Sequence, residues 1–329
     1  MSSTVSRQRD KSSFDYAIRS GIAGGLAGCI AKTAVAPLDR VKILFQASNP
    51  DFQKYAGTWT GAYRAGLAIY RDGGARGLLQ GHSATLIRIF PYAAIKFMTY
   101  DQWRALVIPN RDKETNFRRF AAGALAGMTC VTFTYPLELV RVRMAFHSRL
   151  SSLSAGQTRP SFLRAMRVIY NEGSPPSPVT RTTTVQIFER FPVLKFYRGF
   201  TVTMVGMIPY AGTAFLTWDF LRAHFFPVID DHSKRPHSLA NLAIGAVSGA
   251  ISQTVSYPFE VVRRRMQVGG LTRPDRWLRW GETVRAVYSS GGWRGFYVGL
   301  GIGYLKMIPM TAISFAVWQG GKVCWVFRY

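Results

Sequence analysis

Three segments of the chain place an acidic and a basic side chain at the same spacing behind a proline. They begin at Pro37, Pro136 and Pro258 and read PLDRVKILFQ, PLELVRVRMA and PFEVVRRRMQ. In the first segment Asp39 and Lys42 are three residues apart, so on a helix they lie on one face and can pair with each other. Because the pattern occurs three times, pairing between segments is the alternative. The chemistry that these residue types offer is ion pairing.

The sequence contains no recognisable catalytic or metal-binding motif. Cys29, Cys130 and Cys324 are too far apart for a CxxC site, and we expect them to be free thiols. The five histidines form no HExxH pattern, and no GxxxxGK[ST] phosphate loop is present. No nucleophile, base and orienting acid recur together. We therefore expect a protein without metal, cofactor or enzymatic activity.

The composition indicates an anionic partner. The 329 residues include 42 Lys and Arg against 17 Asp and Glu, which gives a formal net charge of +25. A charge of this sign and size suits nucleic acid, phospholipid or a phosphorylated metabolite. A nucleic-acid-binding protein would gather basic and aromatic residues on one face in polar surroundings, whereas this chain shows six apolar segments at fixed spacing. We expect no nucleic-acid partner.

The chain is organised as three repeats of two apolar segments each. A GxxxG pair precedes each proline segment at the same offset, first as Gly24 with Gly28. A second apolar segment, also built around a proline, begins at Arg88, Gly206 and Lys306. Three repeats of two segments predict six helices. The predicted units are a polar tail at 1–13, repeat 1 at 14–115, repeat 2 at 116–235 with an insertion near 174–195, and repeat 3 at 236–329.

The predicted helices suit a membrane bundle that encloses a polar path. The first, at 14–46, would be about 50 Å long, beyond the roughly 30 Å of a hydrocarbon core, so it must tilt or kink. Pro37 supplies a cause, since an interior proline removes a backbone hydrogen bond. Charges at membrane depth usually face a bundle interior or a water-filled cavity rather than lipid. The cations that interrupt the apolar segments are Lys32, Arg88, Lys96 and Lys306.

The long connections between helices are predicted to lie together on one side of the membrane. Residues 47–82, 147–198 and 268–298 carry 17 Lys and Arg, whereas the short connections near 106–115 and 226–236 carry four. The positive-inside bias puts the long connections on the side from which charge is not readily translocated, and an even number of spans puts both termini opposite them. The basic N-terminal tail argues mildly against this orientation. Apolar residues at helical spacing within the connections predict helices along the membrane surface.

These residues resemble the mitochondrial carrier family. Its odd-numbered helices carry Px[DE]xx[KR]x[KR]xQ, its connections carry [DE]G followed by an aromatic residue, a basic residue and Gly, and its even-numbered helices carry [FY][DE]xx[RK]. The resemblance occurs in triplicate and covers nearly the whole chain. It implies an all-α membrane protein with six transmembrane helices in three pseudo-symmetric repeats and short matrix surface helices. It also implies a monomer in the mitochondrial inner membrane, with both termini toward the intermembrane space and with anionic phospholipid, cardiolipin above all, as a partner.

The resemblance implies two gates made of ion pairs between repeats. The implied matrix gate pairs Asp39 with Arg141, Glu138 with Arg263 and Glu260 with Lys42, and includes the signature glutamines Gln46 and Gln267. The implied cytoplasmic gate pairs Asp101 with Arg222 and Asp219 with Lys322, and includes the motif residues Tyr100, Arg104, Trp218, Trp318 and Gln319. Pairs in a low-dielectric setting barely exceed their desolvation penalty, which suits a gate that bound substrate can open.

The chain departs locally from the family signature. Leu44 stands at the second basic position of the first segment, and Ala145 replaces the glutamine of the second. Ser290 replaces the acidic residue of the third [DE]G pair, and Gln319 replaces the acidic residue of the third even-helix motif. One ion pair on the cytoplasmic side is therefore replaced, at best, by a hydrogen bond.

Positions that differ between repeats are the candidate substrate contacts, because a substrate such as a nucleotide has no threefold symmetry. The candidate cations Lys32, Arg88, Lys96 and Lys306 belong to repeats 1 and 3. Repeat 2 offers Gly206 and Met207 instead. An adenine against these two residues, with its phosphates held by the cations, is the natural placement. Each cation can instead be a structural charge, and the glycine and methionine can be packing residues.

Within the family, the chain looks most like the coenzyme A carrier and Graves disease carrier branch. The expected function is transport of coenzyme A or a related adenine nucleotide by alternating access between two gates. Coenzyme A fits physically as a 3′-phosphorylated ADP with a long polar tail, which needs several cations and a large cavity. A carrier that exchanges ATP-Mg for phosphate, or that exchanges ADP, is the alternative.

The substitution Gln319→Glu is expected to slow transport. A carboxylate at this position would complete the ring to which Asp101 and Asp219 contribute, and would strengthen closure on the cytoplasmic side. The measurement is the exchange rate of labelled substrate in liposomes at matched protein abundance. An unchanged or faster rate would show that this ring is not a gate.

Overall fold

The computed structural model describes residues 14–58, 60–108, 115–147, 161–172, 190–225, 238–272 and 279–321. Within these ranges the chain forms nine α-helices and three short 3-10 turns. The helices are α1 Phe14–Gln46, α2 Gly61–Leu78, α3 His82–Val107, α4 Asn116–Phe146, α5 Phe162–Tyr170, α6 Phe200–Phe225, α7 Ser238–Thr272, α8 Trp280–Gly291 and α9 Leu300–Gly321. The 3-10 turns are Gln53–Tyr55, Pro192–Tyr197 and Gly292–Tyr297.

The order of long and short helices repeats three times. Each repeat has a long helix with a GxxxG pair and a proline, a short helix in the long connection, and a second long helix with its own proline. Helices α1, α2 and α3 form the first set, α4, α5 and α6 the second, and α7, α8 and α9 the third. The prediction of six long helices in three repeats is confirmed, and the first helix ends at Gln46 as predicted.

The long helices differ in apolar character. Three stretches of the described chain are long and apolar enough to cross a membrane by length and composition, namely Phe117–Phe146, Pro192–Phe225 and Trp280–Ser314. Helices α1, α3 and α7 do not reach this apolar level, and charged residues lie along them: α1 contains Asp39, Arg40 and Lys42, and α7 contains three consecutive arginines at 263–265. Charges of this density can lie within a bundle only where they face its interior.

The six long helices close into a ring. Helix α3 runs alongside α4, α6 alongside α7, and α9 alongside α1, so each repeat packs its second helix against the first helix of the next. The apolar core lies at one end of the ring, where the short helices α2, α5 and α8 cover the ends of α1, α4 and α7. Ile69, Ile169 and Val287 occupy corresponding buried positions on the short helices. The end that carries the long connections is therefore the closely packed end.

A glycine in the left-handed region precedes α3, α6 and α9, the second long helix of each repeat, and at α6 and α9 a tyrosine holds the turn. Gly199 and Gly299 have φ angles of 76° and 85°, in the left-handed region that favours glycine. A Cβ atom at either position would lie 3.2 Å from a tyrosine hydroxyl, that of Tyr135 or Tyr257. Each hydroxyl donates a hydrogen bond to the carbonyl just before the glycine, at 2.6 Å and 3.0 Å respectively. The turns thereby tie α6 to α4 and α9 to α7.

The described end of the insertion in repeat 2 is packed by a buried lysine. Lys195 takes the place that Gly77 and Gly295 occupy in the other repeats, and only 9% of its surface is exposed. Its Nζ atom donates to the carbonyl oxygens of Tyr170 and Glu172 at 3.0 Å and 2.9 Å, at the carboxyl end of α5. A cation at this end also opposes the negative pole of the helix dipole. The lysine thus fixes the long connection of repeat 2 onto its surface helix.

The substitution Lys195→Met is expected to lower the thermal unfolding midpoint in detergent. Methionine keeps the length of the side chain but leaves the two carbonyl oxygens unpaired, a loss of about 2 kcal/mol for hydrogen bonds from a charged donor. The matched control is Lys54→Met, because Lys54 is exposed on the first long connection. Equal midpoints for the two variants would contradict the capping role.

Candidate functional site

Three carboxylates meet cations of neighbouring repeats at the packed end of the ring. Arg141 binds Asp39 at 3.0 Å, and Lys42 binds Glu260 at 2.9 Å. Arg263 lies 3.6 Å from Glu138. The structure therefore brings together all six charged residues of the predicted matrix gate, each acid with a base from another repeat.

Glu138 has two nearer partners than Arg263. Arg264 donates to its Oε1 atom at 2.7 Å, and Arg88 contacts its Oε2 atom. Sequence reasoning missed Arg264, since the equivalent residues of the other repeats are Ile43 and Val142 and no threefold pattern marks it. The only signal was the run of three arginines in PFEVVRRRMQ. With Arg141 of its own repeat at 3.8 Å, this single carboxylate gathers arginines from all three repeats.

The four predicted substrate cations fall into two pairs. Lys306 binds Asp39 at 2.7 Å and Arg88 binds Glu138, so both hold carboxylates of the predicted matrix gate. Lys32 lies near Asp39, but among the described residues neither Lys32 nor Lys96 forms an ion pair. Lys96 is exposed. Of the four predicted substrate cations, Lys32 and Lys96 are therefore the two that form no ion pair within the described chain.

The two signature glutamines link repeats through tyrosines. Gln46 donates to the hydroxyl of Tyr257 at 3.0 Å, and Gln267 donates to that of Tyr135 at 3.1 Å. At the third junction, between repeats 1 and 2, alanine stands at both corresponding positions, as Ala145 and Ala36. The glutamine and its tyrosine partner are thus replaced together.

The opposite end of the ring is open. Asp101, Asp219 and Arg222 are exposed, and no ion pair joins them within the described part of the chain. Arg104 is also exposed, whereas Tyr100 and Trp218 are partly buried. Lys322 and the side chains of Trp318 and Gln319 lie outside the described residues. The acids and bases predicted for the cytoplasmic gate are therefore apart wherever the structure describes them, while those of the matrix gate are together.

A cavity of about 300 Å³ lies beside α6, just above the paired carboxylates. We call it the lower cavity, and its lining includes Gly206, Met207, Tyr210, Glu260 and Lys306. A Cβ atom on Gly206 would lie 2.8 Å from that of Phe259 on α7, so packing of α6 against α7 requires this glycine. Gly206 therefore contributes backbone to the cavity wall, and a larger residue there would push the helices apart rather than simply fill the cavity.

A sequence model of the family described as mitochondrial carrier protein matches residues 14–111, 112–228 and 234–326. The chain belongs to the mitochondrial carrier family. Members of this family are transporters, so the carrier is a transport protein and not an enzyme. The recognition from the repeated signature and the all-α, six-span fold class are both confirmed.

Relatives resemble the carrier along almost its whole length. The mitochondrial carrier protein LEU5 of Saccharomyces cerevisiae is 41% identical, with 95% of this chain and 92% of that protein aligned. Solute carrier family 25 member 16 of Homo sapiens is 38% identical, over 92% of this chain and 87% of that protein. The mitochondrial carrier protein CoAc2 of Zea mays is 36% identical, over 94% and 87%.

The carrier has an excess of positive charge at the packed end of its path. The carboxylates Asp39, Glu138 and Glu260 are surrounded by seven cations, namely Lys32, Lys42, Arg88, Arg141, Arg263, Arg264 and Lys306. The formal excess is four positive charges. Because buried charges of one sign repel at low dielectric, an anion of comparable charge is strongly favoured there.

Side chains of repeat 1 donate hydrogen bonds to the backbone carbonyl oxygens at the carboxyl end of α4. Gln80 donates to the carbonyl oxygen of Met144 at 3.0 Å. Arg40 donates to those of Ala145 at 3.3 Å and His147 at 2.8 Å. Asn49 donates to that of Phe146 at 2.9 Å. Four consecutive carbonyls at a helix end, which lack partners within the helix, are thus all satisfied from one neighbouring repeat. We call this set the α4 clamp.

A second buried ion cluster supports repeat 2 outside the path. Glu172 binds Arg143 at 2.8 Å and Arg198 at 3.1 Å, and all three side chains are buried. A side chain at Gly270 would collide with the Glu172 carboxylate, so this glycine lets α7 approach the cluster. In repeat 1 the equivalent of Arg143 is Leu44, so the cluster has no counterpart there.

The substitution Arg40→Leu is expected to destabilise the carrier by about 2 to 3 kcal/mol, since two buried carbonyl oxygens lose a charged donor. Leucine is the natural residue at the equivalent position of repeat 2, Leu139, so the backbone tolerates it. The measurement is the thermal unfolding midpoint in detergent. Arg64→Leu, at an exposed site on α2, is the matched control for the lost charge. Equal effects of the two substitutions would mean that the α4 clamp contributes nothing.

Proposed function

We propose that this carrier moves coenzyme A, or a related adenine nucleotide, across the mitochondrial inner membrane by alternating access. The observation that carries the proposal is the excess of four positive charges at the base of an open cavity. Coenzyme A carries a diphosphate and a phosphomonoester, so its charge is close to the opposite of that excess. The name of the maize relative, CoAc2, is in keeping with this cargo.

The cargo is proposed to lie with its phosphates among Lys32, Arg88 and Lys306. Arginine grips phosphate through two parallel hydrogen bonds, and lysine approaches as a point charge. The adenine then occupies the lower cavity beside Met207 and Tyr210. Lys96, further toward the open end, meets the cargo as it arrives.

The two rings of charged residues are proposed to act as alternate gates. The acids and bases of one ring are paired, and Asp101 and Arg222 of the other ring are apart within the described residues. This supports a carrier closed at one end and open at the other. The basic long connections favour the matrix for the closed end, with both termini in the intermembrane space. Cardiolipin association and a monomeric state remain predictions of the sequence.

Exchange of ATP-Mg for phosphate, or of ADP, is the second candidate. It is favoured by the same cluster of cations, because nucleoside di- and triphosphates carry similar charge on a shorter molecule. Uptake of labelled coenzyme A and of labelled ADP and ATP into liposomes containing the purified carrier separates the two candidates. Tight competition by an anion that is not a nucleotide would overturn both.

The substitution Lys32→Ala is expected to weaken the binding of all phosphorylated cargoes by about 10- to 100-fold. This is the effect of losing a charged hydrogen bond of about 1.5 to 3 kcal/mol. Lys32 is the better choice than Arg88 or Lys306, because those two also neutralise gate carboxylates. The measurement is inhibition of uptake by coenzyme A, ADP, adenosine 3′,5′-diphosphate and pyrophosphate. Lys54→Ala, on an exposed turn, is the control, and an equal effect of both substitutions would exclude a contact at Lys32.

A further inference from the structure

A second cavity of about 700 Å³ opens beyond the lower cavity, between α4, α6 and α7. We call it the upper cavity, and its lining includes Phe120, Tyr210, Ala214, Phe215, Trp218 and Arg222. Tyr210 lines both cavities, so the two adjoin at this residue. The upper cavity therefore continues the path from the paired carboxylates toward the open end of the ring.

The walls of the two cavities differ in chemistry. The lower cavity presents Lys42, Glu260 and Lys306, among other charges. The upper cavity is walled by aromatic rings, and those of Phe120 and Phe215 lie 5.2 Å apart between centroids. Its charged residues are Arg119, Asp219 and Arg222, and all three are exposed at its outer end. Inward of these three residues the lining is aromatic or small, with the hydroxyl of Ser248, and such a mixed uncharged wall suits the uncharged part of a ligand.

Repeat 2 differs from the other repeats at two positions of this wall, although Phe97 and Phe315 correspond to Phe215 in sequence. Ala214 stands at the level where repeats 1 and 3 have Lys96 and Ser314. Phe120, on the neighbouring helix, stands where those repeats have glycine and leucine. A small residue facing an aromatic ring leaves room for a chain to lie along α6. The other two sides of the path offer a cation or a hydroxyl at the same height.

We propose that the upper cavity binds the uncharged arm of a coenzyme A cargo, while its phosphates lie at the base of the lower cavity. This inference rests on the proposed function. The orientation of the cargo follows from charge. If the uncharged arm lay among the seven cations, their excess of positive charge would not be neutralised. The length of the arm also fits. Along α6, Ala214 lies about 12 Å and Trp218 about 18 Å above Gly206. The arm of coenzyme A is about as long as four extended amino-acid residues, or roughly 14 Å, so it reaches the level of these two side chains.

The test compares cargoes with and without the arm. Adenosine 3′,5′-diphosphate keeps the adenosine, the 3′-phosphate and the first 5′-phosphate of coenzyme A, and it has no arm. Ala214→Trp would fill the upper cavity without touching a cation, and Leu216→Trp, at an exposed position of the same helix, is the matched control. Ala211→Leu, a smaller change in the same wall, serves as the second variant. The measurement is concentration-dependent uptake of both labelled cargoes into liposomes.

In Ala214→Trp we expect KM for coenzyme A to rise about tenfold or more, which corresponds to about 1.4 kcal/mol, while KM for adenosine 3′,5′-diphosphate stays within about twofold. The Leu216→Trp control should behave as wild type. If the Ala214→Trp carrier transports neither cargo, the Ala211→Leu carrier must show the selectivity instead: a higher KM for coenzyme A, by a smaller factor, with KM for adenosine 3′,5′-diphosphate unchanged. Equal effects on both cargoes, or no effect on coenzyme A, would overturn the subsite while leaving the proposed function intact. A wild-type carrier that takes up no coenzyme A would overturn both.

Discussion

A buried carboxylate must be neutralised, and in this carrier that requirement brings three repeats to one point. Asp39, Glu138 and Glu260 each lie on a different repeat, and each finds a cation on another. Removing one partner of such a pair leaves an uncompensated buried charge, which is far more costly than the pair is favourable. The apolar clusters under α2, α5 and α8 gather around the same end. The other end has no comparable requirement within the described residues, and there the ring stays wide.

The three junctions between repeats are built differently although the repeats are alike. Repeats 3 and 1 meet through Lys42 with Glu260 and Gln46 with Tyr257. Repeats 2 and 3 meet through Arg263 with Glu138 and Gln267 with Tyr135, and Arg264 adds a further bond to Glu138. Repeats 1 and 2 lack the glutamine and the tyrosine and use the α4 clamp instead. A cargo with distinct ends therefore meets a path whose sides differ in strength as well as in chemistry.

The fold and the ring of charged pairs could be predicted because the sequence pattern that specifies them occurs in all three repeats. Helices α1, α3 and α7 are not recognised as spans by length and composition, and the repeat identified them. Arg264 could not be found in this way, since it has no counterpart in the other repeats. The partners of Arg40 are main-chain oxygens, which leave no residue pattern. The packing role of Gly206 depends on Phe259 of another helix, and a single sequence does not show which helices touch.

The carboxyl end of α4 is held through its main-chain carbonyl oxygens. The residues that supply these acceptors and the residues that donate to them are therefore under different evolutionary constraints. Any residue except proline presents the same carbonyl oxygen in the same helical geometry, so Met144, Ala145 and Phe146 can drift in identity, within the limits of packing, without loosening the junction. The donors have no such freedom, because Arg40 spans two acceptors at once. Variation along lineages should therefore accumulate on the acceptor side of this junction and spare the donor side.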